Sequence, residues 1–173
     1  MSKRYIAPIE DGRIRLRLLD ASDLPMTLRW RNQDQIRKWF FNSDVIALDQ
    51  HHAWFQQYSE RDDDFVFIIE EIQTLHCPVG QVALYHIDWA AKRAEFGRLM
   101  IGEAEAAGKG LAHDATALLV NQALSDWGLQ EVYLEMFANN TRALAIYKGC
   151  GFENAGRRAD MVSMSKRRED NAR

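Results

Sequence analysis

Two stretches of this chain carry residues whose types and spacing suit chemistry. The first runs Arg93-Ala94-Glu95-Phe96-Gly97-Arg98-Leu99-Met100-Ile101 and continues to Ala107-Gly108-Lys109-Gly110-Leu111-Ala112. It reads as an extended strand, a glycine-bearing turn and the start of an apolar helix. A turn of that kind leaves backbone N–H groups unpaired at a helix start, where phosphate oxygens fit. The second stretch, Asn139 to Phe152, holds Tyr147 on a short amphipathic segment. A phenol has a pKa of about 10, so near neutrality it is a poor base but can hand a proton to a leaving group. Read alone, Tyr147 fits a core aromatic better than a catalytic acid. Glu135 projects from its strand on the face opposite Val132, Leu134 and Met136, between Tyr133 and Phe137, and is a candidate base. Glu95 is the second candidate, and a chain of waters is the third.

Two better-known glycine motifs fail here. A Walker A loop needs Gly, four residues, then Gly-Lys-Ser/Thr, but Gly102 is too far from Gly108 and Gly110 fills the Ser/Thr position. A dinucleotide fingerprint needs a third glycine, and residue 113 is His. These failures disfavour a nucleotide hydrolase.

Together, in this order and spacing, the two stretches resemble the GNAT superfamily of acyl-CoA-dependent N-acetyltransferases. The superfamily's phosphate motif, Gln/Arg-x-x-Gly-x-Gly/Ala, falls on Glu105-Ala106-Ala107-Gly108-Lys109-Gly110, with Glu105 departing at the first position. The resemblance implies that amides from Ala107 through Gly108, Lys109, Gly110 and Leu111 to Ala112 hold the pyrophosphate of acetyl-CoA. It also implies that Leu99, Met100 and Ile101 pair with the pantetheine arm. The run Asn140-x-x-Ala143-x-x-x-Tyr147-x-x-x-Gly151-Phe152 matches the superfamily's Asn…Ala…Tyr…Gly-Phe pattern. That match implies that Tyr147 meets the CoA sulfur as general acid and that Asn140 hydrogen-bonds the pantetheine arm. The spacing of Glu135 ahead of Tyr147 is similar to the Glu/Tyr pair of ribosomal-protein N-terminal acetyltransferases.

Such a reaction needs a deprotonated amine, a thioester held close to it, an N–H donor for the oxyanion and a proton for the thiolate. It needs no metal. The segment Trp30-Arg31-Asn32 and the helix His51-His52-x-Trp54-Phe55 offer aromatic walls, hydrogen-bonding groups and one fixed cation for the acceptor. They are similar to segments of sugar-amine acetyltransferases of the pseudaminic acid type. The leading expectation is therefore an acetyl-CoA-dependent N-acetyltransferase acting on a nucleotide-linked amino-sugar. The alternatives are a ribosomal-protein N-terminal or polyamine acetyltransferase and, in another class, a non-catalytic acyl-CoA-binding protein. Asp62-Asp63-Asp64 reads as a solvated turn with some attraction for a polyamine.

The elements that must position these residues follow from periodicity. Ile14, Leu16 and Leu18 alternate in a first strand, and Asp20 or Ser22 caps a helix with Pro25 in its first turn. A short helix is expected from Asp34 to Phe40, and a third after an Asp49 cap. Three strands follow, Phe65–Glu70, Val79–Ile87 and Ala94–Ile101, joined by short turns as an antiparallel meander. A helix from Leu111 to Trp127, a strand from Glu131 to Phe137, a helix from Thr141 to Lys148 and two closing strands complete the chain. The expected fold is α+β, with a single mixed, mostly antiparallel central sheet and flanking helices.

At 173 residues, 47% hydrophobic, the chain suits one domain over 1–173, with a core over 12–165 and a fraying tail over 166–173. A formal net charge of −3 argues against a nucleic-acid binder. No apolar run nears the ~20 residues that span a bilayer, and no secretory signal follows Met1, so a cytoplasmic enzyme is expected. Two cysteines are too few for a disulfide framework or a metal site. The expected partners are a small-molecule amine and, at most, a second copy in a homodimer.

Overall fold

Alternation of apolar and polar residues organises the chain into one eight-stranded sheet, seen in a computed structural model that describes residues 2–169. The strands are β1 (Ile9–Glu10), β2 (Ile14–Leu18), β3 (Phe65–Glu71), β4 (Cys77–Asp88), β5 (Arg93–Ile101), β6 (Glu131–Phe137), β7 (Glu153–Arg158) and β8 (Met161–Arg167). Their order across the sheet is β1-β2-β3-β4-β5-β6-β8-β7. Every neighbouring pair is antiparallel except β5 and β6. The mixed, mostly antiparallel sheet expected from sequence is the one found.

Helices cover both faces. On one side lie α1 (Leu24–Arg31), α2 (Asp34–Arg37) and α3 (Leu48–Ser59), whose Leu24, Trp30 and Tyr58 pack with Val66, Ile68, Ala83 and Met100. On the other lie α4 (Leu111–Ser125) and α5 (Thr141–Gly149). There Leu111, Leu119 and Tyr147 pack with Phe96, Val132 and Leu134. Strands buried on both faces read as nearly continuous apolar runs, as β3 does in Phe65-Val66-Phe67-Ile68-Ile69.

Several boundaries differ from expectation. Strand β1 lies ahead of the expected core boundary and pairs Ile9 with Leu16; two residues are too few to show a period. Helix α2 stops at Arg37 rather than Phe40. Helix α3 begins at Leu48, with the Ala47 N–H donating to Gln50 Oε1, so Asp49 lies inside the helix and is not its cap. Lys166 and Arg167 do not fray: they extend β8, paired with Val132 and Glu131. Residues 170–173 of the expected tail lie outside the described residues.

One close approach ties α1 to the end of β5. Gly102 is buried, and a Cβ there would overlap the Trp30 ring. Overpacking of this kind costs about 1–3 kcal/mol. Gly102→Ala is expected to lower the unfolding free energy by that amount, read as a lower denaturant midpoint at unchanged m-value; an unchanged midpoint shows that Trp30 moves aside freely.

Candidate active site

Parallel pairing of β5 with β6 covers only Arg93/Glu131, Ala94/Val132 and Glu95/Tyr133. Beyond that point the two strands part, and a cleft of about 990 Å³ opens between them. A bulge in β5 marks the parting. Gln81 pairs with Met100 and Ala83 with Gly97, so two β5 residues, Arg98 and Leu99, stand opposite Val82. Arg98 takes a left-handed φ of 52°. Its guanidinium is held by both Asp64 oxygens, at 2.7 and 3.2 Å, and lies 4.1 Å from the Tyr85 ring. From Phe96 onward, β5 backbone groups on the β6 side have no strand partner and face the cleft. Leu99, Met100 and Ile101 are among its lining residues.

At the far end of β5 the chain turns through Ala107 to Ala112. Gly108 and Gly110 take φ of 72° and 76°, with Gly110 at the N-cap of α4 and no side-chain cap on the amides that follow. Both glycines are there for their dihedrals. A Cβ at Gly108 meets nothing within 4 Å, and one at Gly110 meets only an Arg13 nitrogen at 3.9 Å. Ala107, Gly108, Lys109, Gly110, Leu111 and Ala112 all line the cleft. Arg13, which sequence reasoning missed, braces the turn by a 2.7 Å bond to Asp114 and a bond to the Lys109 carbonyl. Its partners lie about a hundred residues away, and no local pattern announces them.

Tyr147 and Glu135 both line the cleft, but from opposite faces of the sheet. Tyr147 is buried on the α4 side, edge-on to Phe96 and Phe152 at 5.8 and 5.9 Å. Burial pushes its phenol pKa well up, so it keeps its proton. Glu135 is exposed on the α1–α3 side, in line with the alternation that buries Val132, Leu134 and Met136. Asn140 caps α5, its Oδ1 accepting from the Ala143 N–H at 3.2 Å, and also lines the cleft. Glu95 does not line it. Its carboxylate accepts from Tyr85 at 3.3 Å and pairs with His86 Nδ1 at 2.9 Å.

The acceptor residues expected from sequence are corrected in four cases. Trp30 is fully buried, donates its indole N–H to Glu103 and offers no stacking surface. Asn32 clamps the loop ahead of α3 through both its oxygen and its nitrogen to Ile46, at 2.9 Å each. His51 bonds Thr27 at 2.9 Å and stacks on Trp54, which in turn stacks on Tyr58. Neither His51 nor Trp54 lines the cleft, because their ring faces are used in packing α3 onto the sheet. Burial, first of all, lowers the His51 pKa, with His52 and Arg31 adding to the effect.

Arg31 does line the cleft. It is buried, sits over the Phe40 ring at 4.3 Å and donates through Nη2 to the Asn42 carbonyl, while Nη1 has no hydrogen-bond partner among the described residues. Aromatic residues missed from sequence, Trp39, Phe40 and Phe41, replace Trp30 and Trp54 as walls. Asp62, Asp63 and Asp64 are not a free acidic turn: they pair with Arg4, Arg61 and Arg98.

Residues 13–153 match the family model of an acetyltransferase (GNAT) domain. The spermidine N(1)-acetyltransferase of Vibrio cholerae is 23% identical over 160 residues, covering 92% of this chain and 90% of that one. That of Escherichia coli K12 is 26% identical over 146 residues, covering 83% and 74%. An uncharacterized protein of Methanocaldococcus jannaschii is 24% identical over 145 residues, 83% of this chain but 29% of that longer protein. Among solved structures, the Vibrio cholerae spermidine N-acetyltransferase in complex with CoA and spermine superposes with a TM-score of 0.82. It is 23% identical, over 91% of this chain and 97% of that one. A domain from Methanocaldococcus jannaschii gives a TM-score of 0.77 at 22% identity, over 91% and 99%. The named enzymes among these relatives are spermidine acetyltransferases rather than the sugar-amine or ribosomal-protein enzymes suggested by the sequence. At the level of the superfamily the two agree, and this chain belongs to the GNAT acetyltransferase family.

Proposed function

We infer that this chain transfers the acetyl group of acetyl-CoA directly to the primary amine of a small molecule. The observation that carries the reading is the parting of β5 from β6 directly over a left-handed glycine turn, with Tyr147 beside it. The residues present suit an acyl-CoA. Unpaired β5 backbone at Leu99 to Ile101 matches an amide-bearing arm, and the Ala107–Ala112 amides with Lys109 match a pyrophosphate. Asn140, whose Oδ1 is committed to capping, keeps its amide donors for that arm. Tyr147, held protonated by burial, supplies the proton that a departing thiolate takes up. Glu135 stands on the acceptor side of the cleft as an exposed carboxylate.

The acceptor end of the cleft favours an amine whose body is anionic or neutral. Of the cations lining the cleft, Arg98 is paired with Asp64 and Lys109 belongs to the turn assigned to the pyrophosphate, which leaves Arg31 and Arg142 against the carboxylates Glu103 and Glu135. Glu103 is already engaged by Arg29 and Trp30. Burial and the nearby Arg37 work against the Arg31 charge, and an anion in the cleft near the guanidinium relieves both. A nucleotide-linked amino-sugar brings such an anion. The second reading is a polyamine, and the similarity to spermidine N-acetyltransferases supports it over the amino-sugar.

Three outcomes are expected. Side-by-side kinetics should give a higher kcat/KM for a nucleotide-linked amino-sugar than for spermidine; the reverse order establishes the polyamine reading. Tyr147→Phe should lower kcat by about 10²-fold with little change in the acetyl-CoA KM. Wild-type turnover under conditions where chemistry is limiting makes Tyr147 a packing residue. Gly110→Val puts a β-branched residue at positive φ and should weaken CoA binding about tenfold by calorimetry. Unchanged affinity in the folded variant removes the pyrophosphate from this turn.

A further inference from the structure

Glu95 lies beside the cleft rather than in it, and what stands between is Tyr85. The side chain of Tyr85 rises from β4 on the α1–α3 face, lines the cleft and reaches across the β5 backbone at Gly97. A Cβ at Gly97 would sit 2.6 Å from the Tyr85 hydroxyl, so the glycine makes the room that this hydroxyl occupies. The hydroxyl donates to Glu95 Oε2 at 3.3 Å. The other carboxylate oxygen, Oε1, faces His86 Nδ1 at 2.9 Å. A carboxylate only accepts, so the imidazole Nδ1 carries the hydrogen. His86 takes a left-handed φ of 49° at a register irregularity of β4, and this brings an exposed imidazole back over β5.

The geometry points to Tyr85 as the group that accepts the acceptor amine's proton, with Glu95 receiving the Tyr85 proton and His86 positioning Glu95. With its own hydrogen committed to Glu95, the Tyr85 oxygen presents a lone pair to the cleft at Gly97. That site is one residue from Phe96, whose ring packs against Tyr147 on the other face. The amine arrives as its free base. As its nitrogen bonds to the acetyl carbon, one N–H bond breaks and that proton joins Tyr85 Oη. The Tyr85 O–H proton moves to Glu95 Oε2, so the phenol is never left as a free phenolate. The C–S bond breaks and the thiolate takes the Tyr147 proton. Protonated Glu95 then gives its proton to water at the His86 edge, and Tyr147 regains one from solvent. Burial and the nearby Glu95 charge raise the pKa of Tyr85, which keeps it a phenol between turnovers. The other ionisable groups facing this chain are Tyr133 of β6, which lies under Arg93, Arg98 over the Tyr85 ring with its partner Asp64, and Asp63 beside His86.

This inference rests on amine acetylation and not on which amine is used. Tyr85→Phe should lower kcat by about 10²-fold, measured with the fastest amine of the panel above, and leave the acetyl-CoA KM unchanged. His86→Gly keeps the left-handed backbone but withdraws the donor from Glu95. A carboxylate that has lost a donor to its charged form is a poorer anion, so the acidic limb of the pH–rate profile should move up. Wild-type kcat in Tyr85→Phe overturns the proposal, as does an unmoved limb in His86→Gly. Should the Phe variant fail to fold, the exposed His86 position decides alone. Nitrogen NMR of the wild-type protein should find His86 with a protonated Nδ1. An unprotonated Nδ1 overturns the positioning role without any turnover, so failure here is distinguishable from failure of the acetylation reading.

Discussion

The site depends on a sheet that is prevented from closing. Two parallel strands in register would satisfy each other's backbone groups along their length, yet β5 and β6 do so over three residue pairs and then separate. An open edge inside a sheet is costly unless something holds it apart and something else later satisfies it. The Arg98 bulge shifts β5 by one residue against β4, and the Gln81 side chain satisfies the Arg98 carbonyl at 3.1 Å. The Arg98–Asp64 pair fixes the bulge to the start of β3. Helices packed on both faces keep the strands from collapsing together. What remains is a strip of peptide groups, positioned before any ligand arrives, that an amide-bearing arm can complete as an added strand does.

Opening the sheet also lets its two faces communicate. Elsewhere β6 separates them: Val132, Leu134 and Met136 are buried toward α4, while Tyr133, Glu135 and Phe137 point toward α1–α3. Only at the parting can Tyr147, from the first face, and Tyr85 or Glu135, from the second, reach one space. In the proposed transfer, proton donor and proton acceptor approach the reacting carbon from opposite sides, and burial keeps the phenols of Tyr147 and Tyr85 protonated. A sheet closed to its end would hold the same residues and keep them apart.

Much of this was legible in the sequence because it is local. Strict alternation gives β6 to the residue, glycine spacing gives the turn before α4, and the short amphipathic run from Thr141 gives α5. The misassigned residues are those whose role depends on distant partners. Trp30, at the end of α1, reads as an aromatic wall, but it is committed by Gly102 and Glu103, more than seventy residues away. Asp62-Asp63-Asp64 reads as a solvated turn, but each acid faces an arginine from another part of the chain or the same turn. Lys166 and Arg167 look like a tail by composition and are strand by register, since a chain entering beside β6 takes up its edge hydrogen bonds. His51 and Trp54 have the right chemistry for a substrate, but α3 turns them into its own packing face.

The remaining question of route is whether the acetyl group visits the protein on its way to the amine. A covalent intermediate calls for a nucleophile that ionises near neutrality, and the cysteines are the side chains best suited to that. Cys150 follows α5 close to Tyr147, but burial raises its thiol pKa and Asp114 works in the same direction against Lys166. Its hydrogen is directed to the His113 carbonyl at 3.6 Å. Cys77, exposed at the start of β4, is also held above its ordinary pKa, by desolvation and by the charges of Glu103, Glu105 and Glu71. Neither thiol lines the cleft. What does line it is a protonated phenol, a hydroxyl backed by a carboxylate and a row of unpaired amides. That set can take a proton from an amine, steady an oxyanion and return a proton to sulfur, which is what a single direct transfer requires.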